Sequence, residues 1–218
     1  MPITTYFIGG IATDAQLYAH QLAQIPNSVY LRFPKQAPAD TMATYVLKFL
    51  PSIDLTKPFN LVGCSMGGIM VMELLNHLQP EKVILISSVK CRKEMPWRLR
   101  QLKYTKLHRL FSGRSFIKSV TLGSRFISEL KTVSGLREQV ISMAKNNTPD
   151  FLYWCVNAIV NWSGSYKSAE NIIHIHGDKD GMFPIKNIEN PMVVAAGTHK
   201  MLLSRKEEMT SLLISYLS

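Results

Sequence analysis

Little in this chain of 218 residues could serve as a membrane anchor, a disulfide scaffold or a metal knuckle. No apolar stretch approaches the roughly eighteen residues needed to cross a bilayer. The first apolar run, Ile3 to Ile8, is too short for the core of a secretion signal and has no basic start, so the expected location is cytoplasmic. Cys64, Cys91 and Cys155 are unevenly spaced and include no close pair of the zinc-binding type. That usage fits reduced thiols and implies no metal. Linkers rich in Pro, Gly or Ser, internal repeats and low-complexity tracts are missing too, which argues for a single domain over residues 1–218. The balance of 46% hydrophobic to 18% charged residues is ordinary for a chain that buries a large core without cross-links.

Acids are scarce beside bases. There are 15 Asp and Glu against 25 Lys and Arg, a net charge of +10. The excess concentrates between Lys90 and Lys118, where ten Lys or Arg accompany a single acid, Glu94. A solvated surface is the simplest account of this patch. Nucleic acid, anionic lipid or anionic substrates are the partners it could otherwise meet. No nucleic-acid recognition pattern accompanies the charge, so no nucleic-acid partner is expected. A weak contact with anionic membranes and an entrance for anionic substrates stay open.

Short β-rich runs alternate with helical stretches through most of the chain. Strands are expected at Ile3–Ile8, Val29–Arg32, Phe59–Val62, Val83–Ser87, Ile172–His176 and Met192–Ala195. Helices are expected at Asp14–Gln24 with Asp14 as cap, Pro38–Leu50, Gly67–Leu78 stopped by Pro80, and Leu202–Leu217. This alternation argues for βαβ units, a mainly parallel sheet and helices on both of its faces. One block departs from it. From about residue 90 to residue 167 no strand is convincing and several helices follow one another, which reads as a helical cap or lid inserted after the fourth strand.

The stretch LVGCSMGGIM, residues 61–70, places three glycines, a cysteine and a serine where a strand should hand over to a helix. Glycine weakens both elements, so its presence here signals a backbone conformation or a close approach that side chains forbid. Gly63-Cys64-Ser65-Met66-Gly67 matches G-x-S-x-G between a strand and a helix, the pattern of a nucleophile elbow. In that turn the serine is held in a strained conformation with its hydroxyl off the end of the sheet. Residues two away must be nearly side-chain-free, which explains Gly63 and Gly67, while Gly68 lets the helix pack closely. A phosphate loop would need G-K-[ST], and no lysine is near.

On these residues the sequence resembles the α/β-hydrolase superfamily, over nearly the whole chain apart from the helical insertion. The resemblance implies a three-layer α/β/α sandwich with a mainly parallel sheet. It also implies a Ser–acid–His triad in that order. His176-Gly177-Asp178-Lys179-Asp180 through Pro184 resembles the family's H-G-x-x-D-x-x-x-P turn, which points to Asp180 as the acid, with Asp178 the rival two residues away. The family's other acid position, after the fourth strand, holds only Ser87-Ser88-Val89. Gly197-Thr198-His199 follows the last strand and opens the last helix, where the family's catalytic histidine sits. His20, His77, His108, His174 and His176 fall instead within predicted helices or a strand. The implied roles are Ser65 as nucleophile, His199 as general base and Asp180 as the group that orients the imidazole.

An oxyanion hole would take one N–H from Met66, after the nucleophile, and one from Ile11, where Gly9-Gly10-Ile11 replaces the family's common His-Gly-x. Met1-Pro2 stands where the family usually has an antiparallel hairpin, so a trimmed sheet of about six strands is expected. Within the cap, Trp97, Tyr104, Leu107 and Phe111 share one face of a roughly amphipathic helix, read here as packing on the core while Arg98, Arg100, Lys103, Lys106 and Arg109 are solvated. Phe151, Trp154, Val156, Ile159 and Trp162 are candidates for an apolar substrate pocket or for cap packing, with Trp154 and Trp162 the named substrate-binding residues. The expectation is a serine hydrolase acting on a small-molecule ester or thioester, without cofactor. The alternative is a non-catalytic or membrane-associated binder of lipid or small molecules on the same fold. Oligomeric state is not legible.

Overall fold

A computed structural model of the chain describes residues 3–110, 112–127, 129–164 and 171–218. The expectations for Met1-Pro2, for Phe111 and for the end of the cap at Lys167 lie outside those residues.

Six strands form one sheet: β1 (Thr4–Ile8), β2 (Ser28–Tyr30), β3 (Phe59–Cys64), β4 (Lys82–Ile86), β5 (Ile172–Gly177) and β6 (Met192–Val194). Their order is β2-β1-β3-β4-β5-β6, and every neighbouring pair is parallel. Parallel strands covered on both faces read as continuous apolar runs, and β3 is buried at every position. Alternate side chains feed two separate cores. Tyr6, Ile8, Leu61 and Leu85 point to one face, while Phe7, Val62, Ile84 and Ile86 point to the other.

The first face is covered by helix α2 (Met42–Val46) and helix α3 (Met66–Leu74). The second is covered by the 3-10 turn Ala15–Tyr18, which runs into helix α1 (Ala19–Gln24), and by the C-terminal helices. The architecture is thus the expected three-layer α/β/α sandwich with a parallel six-stranded sheet.

Boundaries moved where local hydrogen bonding outweighed pattern. Asp14 caps as expected, accepting from the Gln16 N–H at 2.9 Å, but what it opens is the 3-10 turn. The second helix starts at Met42, four residues after Pro38, because Thr41 and Thr44 form a reciprocal capping box. It tightens into 3-10 geometry from Leu47 to Ser52, where Pro51 denies a backbone donor. β3 runs two residues further than predicted, through Gly63 and Cys64, so the turn is sharper than its glycines imply.

Between β4 and β5 lie helices α4 (Trp97–Thr105), α5 (Gly113–Gly123), α6 (Glu129–Thr132), α7 (Leu136–Lys145) and α8 (Pro149–Asn161), with 3-10 turns at Leu107–Leu110 and Ser124–Phe126. Arg92 ties their ends together. Its guanidinium donates to the carbonyls of Val160 at 3.1 Å, Trp162 at 2.7 Å and Arg100 at 3.3 Å, so one cation serves the C-terminus of α8 and the middle of α4. The closing helix is broken at Arg205 into α9 (Met201–Ser204) and α10 (Lys206–Leu217).

Candidate active site

The strand order places β2 on one side of β1 and β3 on the other, so connections diverge at the carboxyl ends of β1 and β3. A crevice opens at such a switch point. Two loops meet there, one from each strand. Pairing of Ile8 with Gly63 sets them level, and a Cβ on Gly10 would lie 3.1 Å from the Ser65 Cβ.

Ser65 adopts φ 54° and ψ −119°, a left-handed backbone rare for a side-chain-bearing residue. Its neighbours over-determine that strain. The Ser65 N–H donates to the Ile86 carbonyl at 2.9 Å, and the Ser88 hydroxyl donates to the Ser65 carbonyl at 2.7 Å. A side chain at Gly63 would meet the Gly67 carbonyl oxygen at 2.5 Å, and one at Gly67 would overlap the Ile8 and Gly9 carbonyl oxygens. The glycines of the motif are there because the elbow folds back onto β1.

The Ser65 hydroxyl lies 3.0 Å from His199 Nε2, and His199 Nδ1 lies 2.8 Å from Asp180 Oδ2. Ser65, Asp180 and His199 are therefore brought into one hydrogen-bonded line. Asp180 is buried, which opposes ionisation, but the bond from His199 and the backbone N–H of Phe183 outweigh it and hold the carboxyl below its ordinary pKa. Its Oδ1 accepts from the N–H groups of Met182 at 2.8 Å and Phe183 at 2.9 Å. An ionised Asp180 fixes the proton of His199 on Nδ1, which leaves Nε2 free to accept from the serine. Asp178, the rival acid, makes no hydrogen bond or ion pair with His199, whose Nδ1 is taken by Asp180; one Asp178 carboxylate oxygen is buried without a hydrogen-bond partner. The Phe183 ring packs edge-on against His199, with centroids 5.6 Å apart.

Sequence reasoning passed over His176. It is buried, its Nε2 donates to the Phe183 carbonyl at 2.8 Å, and it stands 3.5 Å from Asp180 Oδ2. Burial lowers its pKa, so it stays neutral while bracing the turn that carries Asp180. The histidine that opens the H-G-x-x-D turn was the available signal. His174 is held down further, to about 3, by burial first and then by His176 and Lys90.

Met66 opens α3, where an N–H has no acceptor within the helix, and the Ile11 N–H donates to no acceptor among the described residues. Met66 follows Ser65 in the chain, and Ile11 borders the same cavity as Ser65. Cys64 packs in the second core at the border of the same cavity, but burial pushes its thiol up to about 12, too high to compete as a nucleophile.

Above Ser65 and His199 the helices α4 to α8 enclose a cavity of about 490 Å³. Leu99, Leu102, Phe116, Val120, Val156 and Ile159 contribute to its mostly apolar walls, and Lys200 is the charged residue among those lining it. Trp154 and Trp162 are not among them. Both are turned into the main core, where Trp154 donates its indole N–H to the Asp40 carbonyl at 2.9 Å and Trp162 to the Glu73 carboxylate at 2.5 Å. Buried indoles need an acceptor, and Trp154 of α8 and Trp162 just after it find theirs away from the cavity. Phe151 follows them, while Val156 and Ile159 face the cavity. The aromatic residues of α4 were also misplaced: Trp97 and Tyr104 are 63% and 73% exposed, and Leu99 and Leu102 face inward instead. Arg98, Arg100, Lys103, Lys106 and Arg109 do not line the cavity.

Glu129 of α6 reaches across to accept from the hydroxyls of Thr198, at 2.5 Å, and Ser204, so the cap is fastened to the loop that carries His199. A larger cleft of about 780 Å³, bordered by Asp14, Tyr30, Arg32 and Asp150, contains none of the three aligned residues. Among the described residues, no group of three or more His, Cys, Asp or Glu side chains is arranged to hold a metal ion. Likewise no described helix is long and apolar enough to cross a membrane.

No protein-family model matches the sequence, and no curated protein matches it. Solved structures, however, superpose along almost the whole chain. A hydrolase from Pseudomonas aeruginosa aligns with a TM-score of 0.73 at 15% identity, over 99% of this chain and 90% of that one. A thermophilic esterase from Thermogutta terrifontis gives 0.71 at 14% identity, over 99% and 89% respectively. MenH from S. aureus gives 0.71 at 13% identity, over 100% and 94%. The chain has the α/β-hydrolase fold.

Proposed function

We propose that the protein is a serine hydrolase that cleaves an ester or thioester with an apolar acyl group through an acyl-enzyme on Ser65. The observation that carries this reading is the continuous line from Asp180 through His199 to the Ser65 hydroxyl, with bonds of 2.8 Å and 3.0 Å. His199 Nε2 takes the Ser65 proton as Oγ adds to the acyl carbon. Asp180 stabilises the imidazolium that forms. The oxyanion of the tetrahedral adduct faces the N–H groups of Met66 and Ile11. Collapse of the adduct breaks the bond to the alcohol or thiol, which leaves with the proton from His199. Water, deprotonated by the same imidazole, then releases the acid.

The cavity supports the apolar acyl group. Its volume falls in the range of small-molecule sites, and its walls offer almost nothing polar beyond the triad and its flanks. A pure binder would need this cavity but not the strained Ser65 or the oriented His199, and that argues for catalysis. Rapid mixing with p-nitrophenyl butyrate should show a burst of nitrophenol equal to the enzyme concentration if acylation outruns deacylation. Ser65→Ala should lose several orders of magnitude in turnover. Undiminished hydrolysis by that variant would overturn the proposal.

A further inference from the structure

The cap has two differently composed faces. Inward, Leu99 and Leu102 of α4 line the cavity over Ser65. Outward, Trp97 is 63%, Tyr104 73%, Leu107 52% and Leu110 81% exposed. Single exposed apolar residues are commonplace, but here four large ones crowd one helix and the turn that follows it. They are interleaved with Arg98, Arg100, Lys103, Lys106 and Arg109, and continued on α5 by Arg114 and Lys118, with no acid anywhere from Met95 to Lys118. Among the described residues, none of these seven cations has a carboxylate partner. Of the nearby acids, Glu94 is buried, accepts from the Lys90 and Glu189 N–H groups and pairs with Lys90. The exposed Asp150 borders one cleft with Arg109 and Arg114 without an ion pair to either, so the cations of the face stay in large excess.

From this composition we infer that the outer face of the cap docks on an anionic lipid bilayer, from which the acyl chain of the substrate passes into the cavity. Exposed Trp, Tyr and Leu among Lys and Arg are what an interfacial surface needs. The apolar groups enter the headgroup boundary while the long cationic side chains reach the phosphates. The Arg98 guanidinium already lies over the Trp97 ring, 5.7 Å from its centroid, a pairing that keeps the indole's apolar body beside a charged tip. A nucleic acid would use the cations but leave Leu107 and Leu110 without a partner, since its affinity comes from phosphates and base stacking. Because α4 is both the docking surface and part of the cavity wall, a chain leaving the bilayer has only about a helix diameter, roughly 10 Å, to travel.

Substrate delivery rests on the Ser65 reading, whereas docking rests on the surface alone, and the test separates them. The full-length protein is sedimented with phosphatidylcholine vesicles, with and without phosphatidylserine. Binding is expected only with phosphatidylserine, is expected to weaken with salt, and should be the same for Ser65→Ala. Each Lys or Arg near an anionic surface is worth about fivefold in affinity, so Arg98→Gln, Lys103→Gln and Lys106→Gln together should cost on the order of a hundredfold. Arg98→Lys with Arg109→Lys should bind as the parent does. Trp97→Ala with Leu110→Ala should weaken vesicle binding and leave hydrolysis of a soluble short-chain ester unchanged. The inference is overturned by absence of sedimentation, by equal binding to neutral vesicles, or by indifference to the Trp97 and Leu110 changes. Tighter binding to a DNA oligonucleotide than to phosphatidylserine vesicles would equally overturn it.

Discussion

Asp180→Asn is the substitution whose consequence can be followed atom by atom. Asparagine is nearly isosteric, and its Oδ1 can keep the two backbone bonds from Met182 and Phe183, at 2.8 Å and 2.9 Å, so the turn should hold. The change falls on the other oxygen. An amide NH₂ then stands 2.8 Å from His199 Nδ1, where a carboxylate oxygen had accepted. Two donors cannot share that contact, so the imidazole must move its proton to Nε2. That proton then faces the Ser65 hydroxyl at 3.0 Å, and the base that should accept from the serine has become a donor. Loss of the imidazolium's counter-charge adds to the effect. The expected fall in kcat is on the order of a thousand- to ten-thousand-fold. The matching Asp178→Asn change touches neither His199 nor Ser65 and should cost less than about tenfold, as for a residue outside the reacting line. Turnover of a p-nitrophenyl ester by both variants, with thermal unfolding to confirm that each is folded, decides the matter. Equal small losses, or the larger loss at Asp178, would refute the orientation of His199 by Asp180.

Three further outcomes are expected. Across p-nitrophenyl acetate, butyrate and octanoate, kcat/KM should rise by up to about fourfold per methylene, from roughly 0.8 kcal/mol of burial each, until the cavity fills. Val156→Trp should move that limit to shorter chains; a flat series would show that the cavity does not take the acyl group. Stability should be level above about pH 6.5 and fall below it. His174 and His176 are held neutral in the fold by burial, so the unfolded chain binds the extra protons, and each contributes a slope of up to about 1.4 kcal/mol per pH unit. His174→Gln, which keeps a donor for the Ser88 carbonyl, should flatten the slope measured by denaturant titration between pH 6.5 and 5. Gly67→Ala should destabilise by about 1–3 kcal/mol and disturb the Gly9–Ile11 loop, because the new methyl meets the Ile8 and Gly9 carbonyls; a variant of unchanged melting temperature would show that the elbow is not closed against β1.

The elements that carry the site were legible because each is dictated by local backbone geometry. The glycines around Ser65 are demanded by the elbow, and the turn that ends β5 places Asp180 where His199 arrives from β6. Helix orientation within the cap was not legible, for a physical reason. α4 separates a cavity from solvent, so it carries apolar side chains on two faces, Leu99 and Leu102 inward and Trp97 and Tyr104 outward. Periodicity finds an apolar stripe but cannot say which stripe is buried when both exist. Trp154 of α8 and Trp162 just after it misled in the same way, because both follow their hydrogen-bond acceptors into the main core rather than the cavity. His176 was overlooked because a histidine on a strand is usually mere packing, and its role emerges only once Phe183 and Asp180 fold back over it.

The central claim is that Ser65 is the atom on which chemistry occurs, and a covalent label addresses it directly. Treatment with a fluorophosphonate, followed by intact-mass measurement and peptide mapping, should show a single adduct on Ser65. The adduct should be absent from Ser65→Ala and slowed strongly in His199→Ala, while Cys64→Ala should label as the parent does. A label carried by Ser87 or Ser88, or one that persists in Ser65→Ala, would contradict the account.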